Sequence, residues 1–173
     1  MFEAERVYLR PLEKKDLYLR PKWFNDEEIN KTLLIDIPIS LAGTEDWFSR
    51  SVKDNSKLNL SICDKKTDKV IGMTGLLNIS YKHRKAQFYI TIGEKEYWGK
   101  GLPDEIIPLV LNFGFSELGL NKIYLYTINN NNRARKVYER NGFKQEAVLK
   151  EDFFCRGQLQ DITVHSIFRK RWQ

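Results

Sequence analysis

The chain has 173 residues, of which 42% are hydrophobic and 30% are charged, and its formal net charge is +6. This length fits one ordinary domain, and this balance of residues excludes a disordered or a collagen-like chain. The longest nearly apolar stretch, 106–115, falls short of the roughly 20 residues of a membrane helix, and the first residues lack a signal-peptide pattern, so we expect a single cytoplasmic domain over residues 1–173 without membrane contact.

The first part of the chain predicts a short strand followed by helices. The segment 7–12 is typical of a strand, and 14–25 is typical of a helix with a break at Pro21, because proline has no backbone N–H to donate. Thr44 is the expected cap of a second short helix, which carries Trp47 and Phe48.

The next part predicts an antiparallel meander. Apolar and polar residues alternate in 58–64, 70–77 and 87–92, as they do in half-buried strands. A polar turn, 65–69, and a basic turn, 82–85, separate these strands.

The pattern then changes from strands to helices. Apolar residues recur at spacings of three and four after Pro103, which suits a first helical turn, and Gly119 is a plausible stop. A strand over 123–128 and a helix over 133–140 follow.

Two alternating segments, 146–154 and 158–168, suggest a final hairpin. Together the elements predict an α+β fold, in which a strand–helix–strand–helix segment is inserted into a mostly antiparallel sheet.

A glycine-rich turn precedes the first long helix. Gly99 and Gly101 would let backbone N–H groups approach a ligand, and the helix N-terminus favours an anion such as a pyrophosphate. Taken alone, the motif favours an ordinary turn that needs glycine for positive φ. It is neither a P-loop, since no Gly-Lys-Ser/Thr ends it, nor a dinucleotide fingerprint, since the third glycine is missing.

A second group of residues marks the next helix. Asn131 stands at the helix start, and Ala134 and Tyr138 are one turn apart, so these two side chains share a face. A phenol held there could protonate a leaving group. Taken alone, the pattern favours a core tyrosine with its hydroxyl at the rim.

The two groups in this order resemble the GNAT superfamily of acetyl-CoA-dependent N-acetyltransferases, in particular the group of ribosomal-protein N-terminal and spermidine acetyltransferases. The likeness covers nearly the whole chain. The segments that carry it are 6–12, 23–26, 70–72, 97–101, 142–143 and 153–161, together with Asn131 and Tyr138. The resemblance implies one GNAT domain, whose mixed, mostly antiparallel sheet has six to seven strands with splayed central strands and about four flanking helices.

The resemblance also implies acetyl-CoA as cofactor, with its pyrophosphate on the glycine turn and its pantetheine arm between 87–92 and 123–128. A bulged strand near Ile92 would supply the oxyanion donor. The cofactor-binding residues it implies are Ile90, Ile92, Trp98, Gly99, Lys100, Gly101, Leu102, Asp104, Asn131, Arg135 and Tyr138. Tyr138 would also be the general acid for the departing thiolate, while the amine attacks directly in a ternary complex.

The chain departs from the family pattern at three positions. Trp98 stands where Arg or Gln is usual, and Pro103 removes one donor from the phosphate cradle, for which the Asp104 N–H is a partial substitute. Gln87 stands where the spermidine enzymes carry Glu, which weakens the expectation of polyamine specificity.

The general base and the acceptor remain open at this point. Besides Tyr138, the catalytic candidates are Asp161 and Glu94, each of which also reads as a solvated or structural acid, and Glu96 or a water chain would serve as well. The candidate acceptor-binding residues are Trp23, Asn25, Phe153 and Phe154, and Phe24 and Trp47 could also line the site, although such aromatic residues are more often core.

The basic charge bears on the partners. Lys100, Arg133, Arg135 and Lys136 would place charge near the phosphates of coenzyme A, and the surplus argues against a polycationic acceptor. We therefore expect a small-molecule or peptide amine, such as a protein N-terminus, an amino sugar or a small amine. A homodimer is compatible with the sequence.

Two other classes of function are compatible with parts of the sequence. A catalytically silent acyl-CoA-binding module is the alternative, and a nucleic-acid binder using 82–85 and 169–171 lacks a known motif and interleaved exposed aromatics. The two cysteines and two histidines are isolated, so we expect no metal site.

Overall fold

The computed structural model describes residues 2–35 and 37–172, and a single mixed sheet forms its centre. The strands are β1 (Phe2–Glu3), β2 (Val7–Pro11), β3 (Leu58–Asp64), β4 (Val70–Ser80), β5 (Lys85–Ile92), β6 (Lys122–Ile128), β7 (Lys144–Cys155) and β8 (Gln158–Phe168). The sheet has the order β1-β2-β3-β4-β5-β6-β8-β7, and every described pair is antiparallel except β5–β6. The predicted α+β fold is confirmed, with eight strands where six to seven were expected, since β1 adds a two-residue edge strand.

In the described part of the chain, five α-helices flank the sheet. They are α1 (Leu19–Phe24), α2 (Glu27–Asn30), α3 (Leu41–Ser51), α4 (Pro103–Asn112) and α5 (Asn132–Arg140). Among the residues described, no helix has the length and apolar character that crossing a membrane requires.

Two apolar clusters hold these elements together. In the larger cluster, the periodic apolar residues of α4, such as Ile106, Ile107 and Val110, are buried against the sheet. In the smaller one, Trp23 and Phe24 of α1 pack with Ile29 of α2. This packing places the ends of α1, α2, α4 and α5 around the middle of the sheet.

Helix α4 starts and ends where its sequence predicts. Pro103 is in its first turn, and a π-helical turn, Phe113–Glu117, extends it. Gly119 then adopts a φ of +63°, a conformation that stops the helix at no steric cost to glycine.

Two local predictions near the N-terminus need correction. Residues 14–25 form a single 3₁₀ turn, Lys14–Asp16, and then α1, so the break precedes Pro21, which lies in the first turn of α1. The predicted cap at Thr44 is wrong: the Ser40 hydroxyl accepts from the Gly43 N–H at 2.9 Å, and Thr44 lies buried inside α3.

The two central strands separate after a short pairing. The parallel pair β5–β6 is limited to Lys85↔Lys122, Ala86↔Ile123 and Gln87↔Tyr124, although β5 continues to Ile92 and β6 to Ile128. The predicted splay is therefore present, and it opens a V-shaped gap in the middle of the sheet.

Candidate active site

A cleft occupies the gap between β5 and β6. It consists of two cavities of about 260 and 320 Å³, which share Ile90, Asn131, Ala134 and Tyr138 among their lining residues. We call the smaller cavity the α4 half, since Trp98 and Pro103 line it beside the start of α4. The larger one is the α1 half, since Arg20 and Phe24 of α1 line it.

The walls of the cleft present backbone polar groups. The Gly93 N–H donates to the Ile71 carbonyl of β4. Along an antiparallel pair, residues alternate between those that are hydrogen-bonded to the neighbouring strand and those that are not. The N–H and C=O groups of Ile90 and Ile92 therefore point away from β4, into the gap. By the same alternation, the bond from the Asn129 N–H to the Asp161 carbonyl turns the backbone of Tyr126 toward the gap.

A bulge lies directly after Ile92. The N–H groups of Gly93 and Glu94 both donate to the Ile71 carbonyl, at 2.9 and 3.1 Å, so two residues oppose one on β4. The bulge expected near Ile92 is therefore present at these two residues. The Trp98 indole N–H caps the wall there by donating to the Ile92 carbonyl at 2.8 Å.

The glycine turn leaves several backbone donors without acceptors. Gly99 and Gly101 have φ of +75° and +74°, and a Cβ at Gly99 would meet nothing within 4 Å, so the backbone conformation alone favours glycine there. The N–H groups from Gly99 to Leu102 have no hydrogen-bond acceptor among the described residues, and no side chain caps α4 at Leu102. Such a row of donors at a helix N-terminus attracts an anion.

Asp104 is not part of this row. Its N–H donates to the Gly101 carbonyl at 3.1 Å, so it does not replace the donor that is lost at Pro103. Its carboxylate binds Arg140 and Asn141, each at 2.7 Å, and the Arg140 guanidinium lowers the pKa of Asp104. Asp104 thereby ties the start of α4 to the end of α5.

One face of α5 lines the cleft. The Asn131 side chain caps the helix by accepting from the Ala134 N–H at 3.1 Å, and Asn131, Ala134 and Tyr138 all line both halves. Tyr138 packs edge-on against Phe88 and Phe143. Burial raises the pKa of Tyr138 to about 12, so the phenol keeps a proton that it can donate near neutral pH.

The predicted cationic residues divide between the cleft and the surface. Lys100 lies over the Tyr97 ring at 5.2 Å, and Arg135 lies 3.8 Å from Glu139; neither side chain lines the cleft. Arg133 does line the α4 half, with its guanidinium carbon 5.9 Å from the Trp98 ring centre.

Glu94 lies beside the cleft without lining it. Its carboxylate accepts from the Trp23 indole, Lys22 and Lys69, each at 2.8 Å. Burial would raise its pKa, but the hydrogen bonds from the two lysines and the indole lower the pKa of Glu94 to about 2. A carboxylate with this pKa and these partners is a poor base near neutral pH.

Asp161 is also engaged outside the cleft. It accepts from Lys150 at 2.7 Å and from the Glu151 N–H at 3.0 Å, and the lysine lowers its pKa. Among the described residues that line the cleft, Glu28 is the one carboxylate, and it pairs with Lys95 at 2.9 Å.

Phe24 and Trp47 line the α1 half as expected of acceptor residues, whereas the other predicted acceptor residues lie away from the cleft. Trp23 is 1% exposed, and its ring packs on Gly93 so closely that a Cβ there would lie 2.0 Å from it. Asn25 exchanges two hydrogen bonds with the Ile39 backbone, at 2.7 and 2.8 Å. Phe153 and Phe154 belong to β7 and line neither half.

The α1 half has other lining residues that the sequence did not single out. Arg20 lines it, with its guanidinium carbon close to the rings of Phe24 and Trp47. Thr127 lines it from β6, with its hydroxyl 3.2 Å from Nε2 of the buried His165. In the sequence, Arg20 is a single arginine in a predicted helix that also carries aromatic residues. Such arginines are also common on protein surfaces.

Comparisons with known proteins agree with this geometry. A family model described as Acetyltransferase (GNAT) domain matches residues 6–144. Spermidine N(1)-acetyltransferase of Escherichia coli (strain K12) is 30% identical over 173 residues, which are 99% of this chain and 91% of that protein. The crystal structure of spermidine N-acetyltransferase from Vibrio cholerae in complex with CoA and spermine has a TM-score of 0.91 at 31% identity and covers 96% of this chain and 98% of its own. A putative ribosomal N-acetyltransferase of Bacillus subtilis is 29% identical over 102 residues, 59% of this chain and 55% of that protein.

Proposed function

Because the chain belongs to the GNAT family and is an acetyl-CoA-dependent N-acetyltransferase, we propose that acetyl-CoA binds in the α4 half of the cleft and a small primary amine in the α1 half. The observation that carries this division is the row of N–H groups from Gly99 to Leu102, which lack acceptors among the described residues and lie beside one half only. These donors fit the pyrophosphate of coenzyme A, and the cofactor supplies the acetyl group as a thioester.

The residues of the α4 half have distinct roles in this proposal. The Gly99–Leu102 donors and the N-terminus of α4 bind the pyrophosphate, with the Arg133 cation nearby. The Ile90 carbonyl and the Ile92 N–H bind the amide groups of the pantetheine arm as a neighbouring strand would. The Asn131 side chain lies at the junction of the two halves.

The chemistry takes place at that junction. The amine nitrogen attacks the thioester carbonyl and the carbon–sulfur bond breaks, while the Ile90 N–H stabilises the negative charge on oxygen. Tyr138 donates its proton to the departing sulfur and then regains a proton from water. No carboxylate or imidazole lines the α1 half among the described residues, so the amine loses its proton to water.

The test is a screen of primary amines with acetyl-CoA, in which released thiol is measured, for the wild type and Tyr138→Phe. We expect Tyr138→Phe to lower kcat by about 100- to 10,000-fold, the range for loss of a general acid. CoA affinity should remain unchanged. Tyr81→Phe is the matched control, since Tyr81 is 56% exposed and lies outside the cleft.

Two outcomes would contradict the proposal. If no amine releases thiol above background with the wild type, the silent acyl-CoA-binding module replaces the enzyme, although no comparison supports that module. If Tyr138→Phe and Tyr81→Phe are equally active, the acid is another group.

A further inference from the structure

Arg20 has an unusual position on the wall of the α1 half. Its guanidinium carbon lies 4.2 Å from the centre of the Trp47 ring and 5.1 Å from that of Phe24. Stacking on two aromatic rings holds a guanidinium plane in place, and it leaves the N–H groups at the edge of the plane available for a ligand.

No protein group compensates this cation among the described residues. The guanidinium of Arg20 has no hydrogen bond and no ion pair there, although the residue is half-buried and burial lowers its pKa. An arginine remains charged in such surroundings, and the donors of this guanidinium are free to bind an anion.

The other polar groups of the α1 half are neutral. Asn59 accepts from the Tyr89 hydroxyl at 2.8 Å, and Gln87 accepts from Asn78 at 3.0 Å. The field in this half therefore comes from one cation, and no described carboxylate lines the cavity to oppose it.

We propose that Arg20 binds an anionic group of the acceptor, so that the acceptor is a small amine that also carries a carboxylate. This inference rests on the proposed function, because it concerns the amine of the same cleft. The guanidinium edge matches a carboxylate in two parallel hydrogen bonds, and the cation repels an acceptor whose second group is an ammonium. The cavity of about 320 Å³ suits a molecule of amino-acid size.

The kinetic test compares amino acids with the amines that lack only the carboxylate: γ-aminobutyrate with n-propylamine, β-alanine with ethylamine, and leucine with isoamylamine. We expect the carboxylate to raise kcat/KM at least about tenfold in the best pair. Arg20→Gln should remove this preference, because it should raise KM for the acid more than KM for the amine that lacks the carboxylate. Arg20→Lys should retain part of the preference, because lysine keeps the positive charge but lacks the planar guanidinium that makes two parallel hydrogen bonds.

Arg50→Gln is the matched control. Arg50 is an exposed cation of α3 that pairs with Asp46 at 2.7 Å, and it lines neither half of the cleft. Removing it changes the net charge by the same amount as Arg20→Gln. An equal loss in both variants would overturn the assignment, as would a preference of the wild type for putrescine or spermidine over γ-aminobutyrate.

A binding measurement separates this inference from the proposed function. Calorimetry on the CoA-saturated protein should detect the acid more strongly than the matched amine, and Arg20→Gln should abolish the difference. Such binding without any acetylation would support the role of Arg20 and contradict the enzyme. Acetylation of the panel without a carboxylate preference in binding or in kcat/KM would do the reverse.

Discussion

Glu94 illustrates how little a carboxylate's place in the sequence says about its role. It follows a strand at the edge of the cleft, which made it a candidate base. Its three donors come from Lys22, Trp23 and Lys69, two of them more than seventy positions away. The fold therefore makes the buried Glu94 carboxylate the centre of an ionic network with two exposed lysines, which the local sequence does not reveal.

This network makes a prediction about stability and pH. Since the pKa of Glu94 falls from its ordinary 4.5 to about 2 on folding, the charged carboxylate stabilises the fold above about pH 4.5. That contribution is lost as the pH falls from about 4.5 to 2. Glu94→Gln should cost about 1–3 kcal/mol near neutral pH and flatten the acid limb of a plot of Tm against pH.

Glu96→Gln is the control for this measurement. Glu96 also pairs with Lys69, at 2.9 Å, but its side chain is 62% exposed, so its loss should change Tm little. Equal acid limbs in the wild type and Glu94→Gln would contradict the assignment of the network to stability.

Other site residues were open to prediction because their signals are local. Asn131, Ala134 and Tyr138 lie within two turns of one helix, and their shared face follows from helical spacing. Trp23 was wrongly grouped with acceptor residues, since sequence does not show that its ring is buried against Gly93. Arg20 was missed because its two aromatic neighbours come from α1 and α3.

At the scale of elements, glycine in the turn before α4 serves two purposes: it permits a positive φ, and it orients the N–H groups that we propose bind the pyrophosphate. Gly101 has a φ of +74°, and a Cβ placed on it would lie 3.9 Å from the nearest atoms. Alanine would therefore fit sterically, yet it would strain the backbone and disturb the direction of the N–H groups in the row.

Gly101→Ala should cost about 1–2 kcal/mol of stability through its positive φ. Because the donors then misalign, KM for acetyl-CoA should rise about tenfold, with kcat less affected. Gly119→Ala is matched in conformation, with a φ of +63° and open space around it, but it lies at the other end of the helix. It should show the stability loss alone; an equal rise of KM in both variants would argue against the cradle.

The elements themselves were largely predictable, because alternation and helical periodicity repeat over many residues. The ends of the elements were harder to predict. Ser40 and Thr44 both carry a hydroxyl and lie one helical turn apart, and only the backbone geometry shows that Ser40 is the cap of α3. The freedom of the Gly99–Leu102 donors was likewise invisible in sequence, since it depends on which groups fail to meet an acceptor.

At the scale of the whole molecule, the splay leaves the sheet incomplete. The strands β1 to β5 and the strands β6 to β8 meet at three paired positions only. A single domain over residues 1–173 and a homodimer stay predictions, which light scattering and limited proteolysis can test.

Amide hydrogen exchange should report this incomplete sheet. We expect the N–H groups of Ile90, Ile92 and Tyr126 to exchange fast in the protein alone, because their edge of each strand lacks a partner. Saturating CoA should slow them, while the amides of Ile62, in the β3–β4 ladder, should change little. Equal protection with and without CoA would contradict the placement of the pantetheine arm.

The three-position contact between β5 and β6 also has a mechanical consequence. When two strands are pulled apart, the hydrogen bonds between them share the applied force. The few hydrogen bonds between β5 and β6 should therefore break before those of the longer pairings β4–β5 and β6–β8. A molecule pulled across the sheet should therefore part along this line first. A bound pantetheine arm, hydrogen-bonded to both β5 and β6, would link the two strands and raise the force that is needed to separate them.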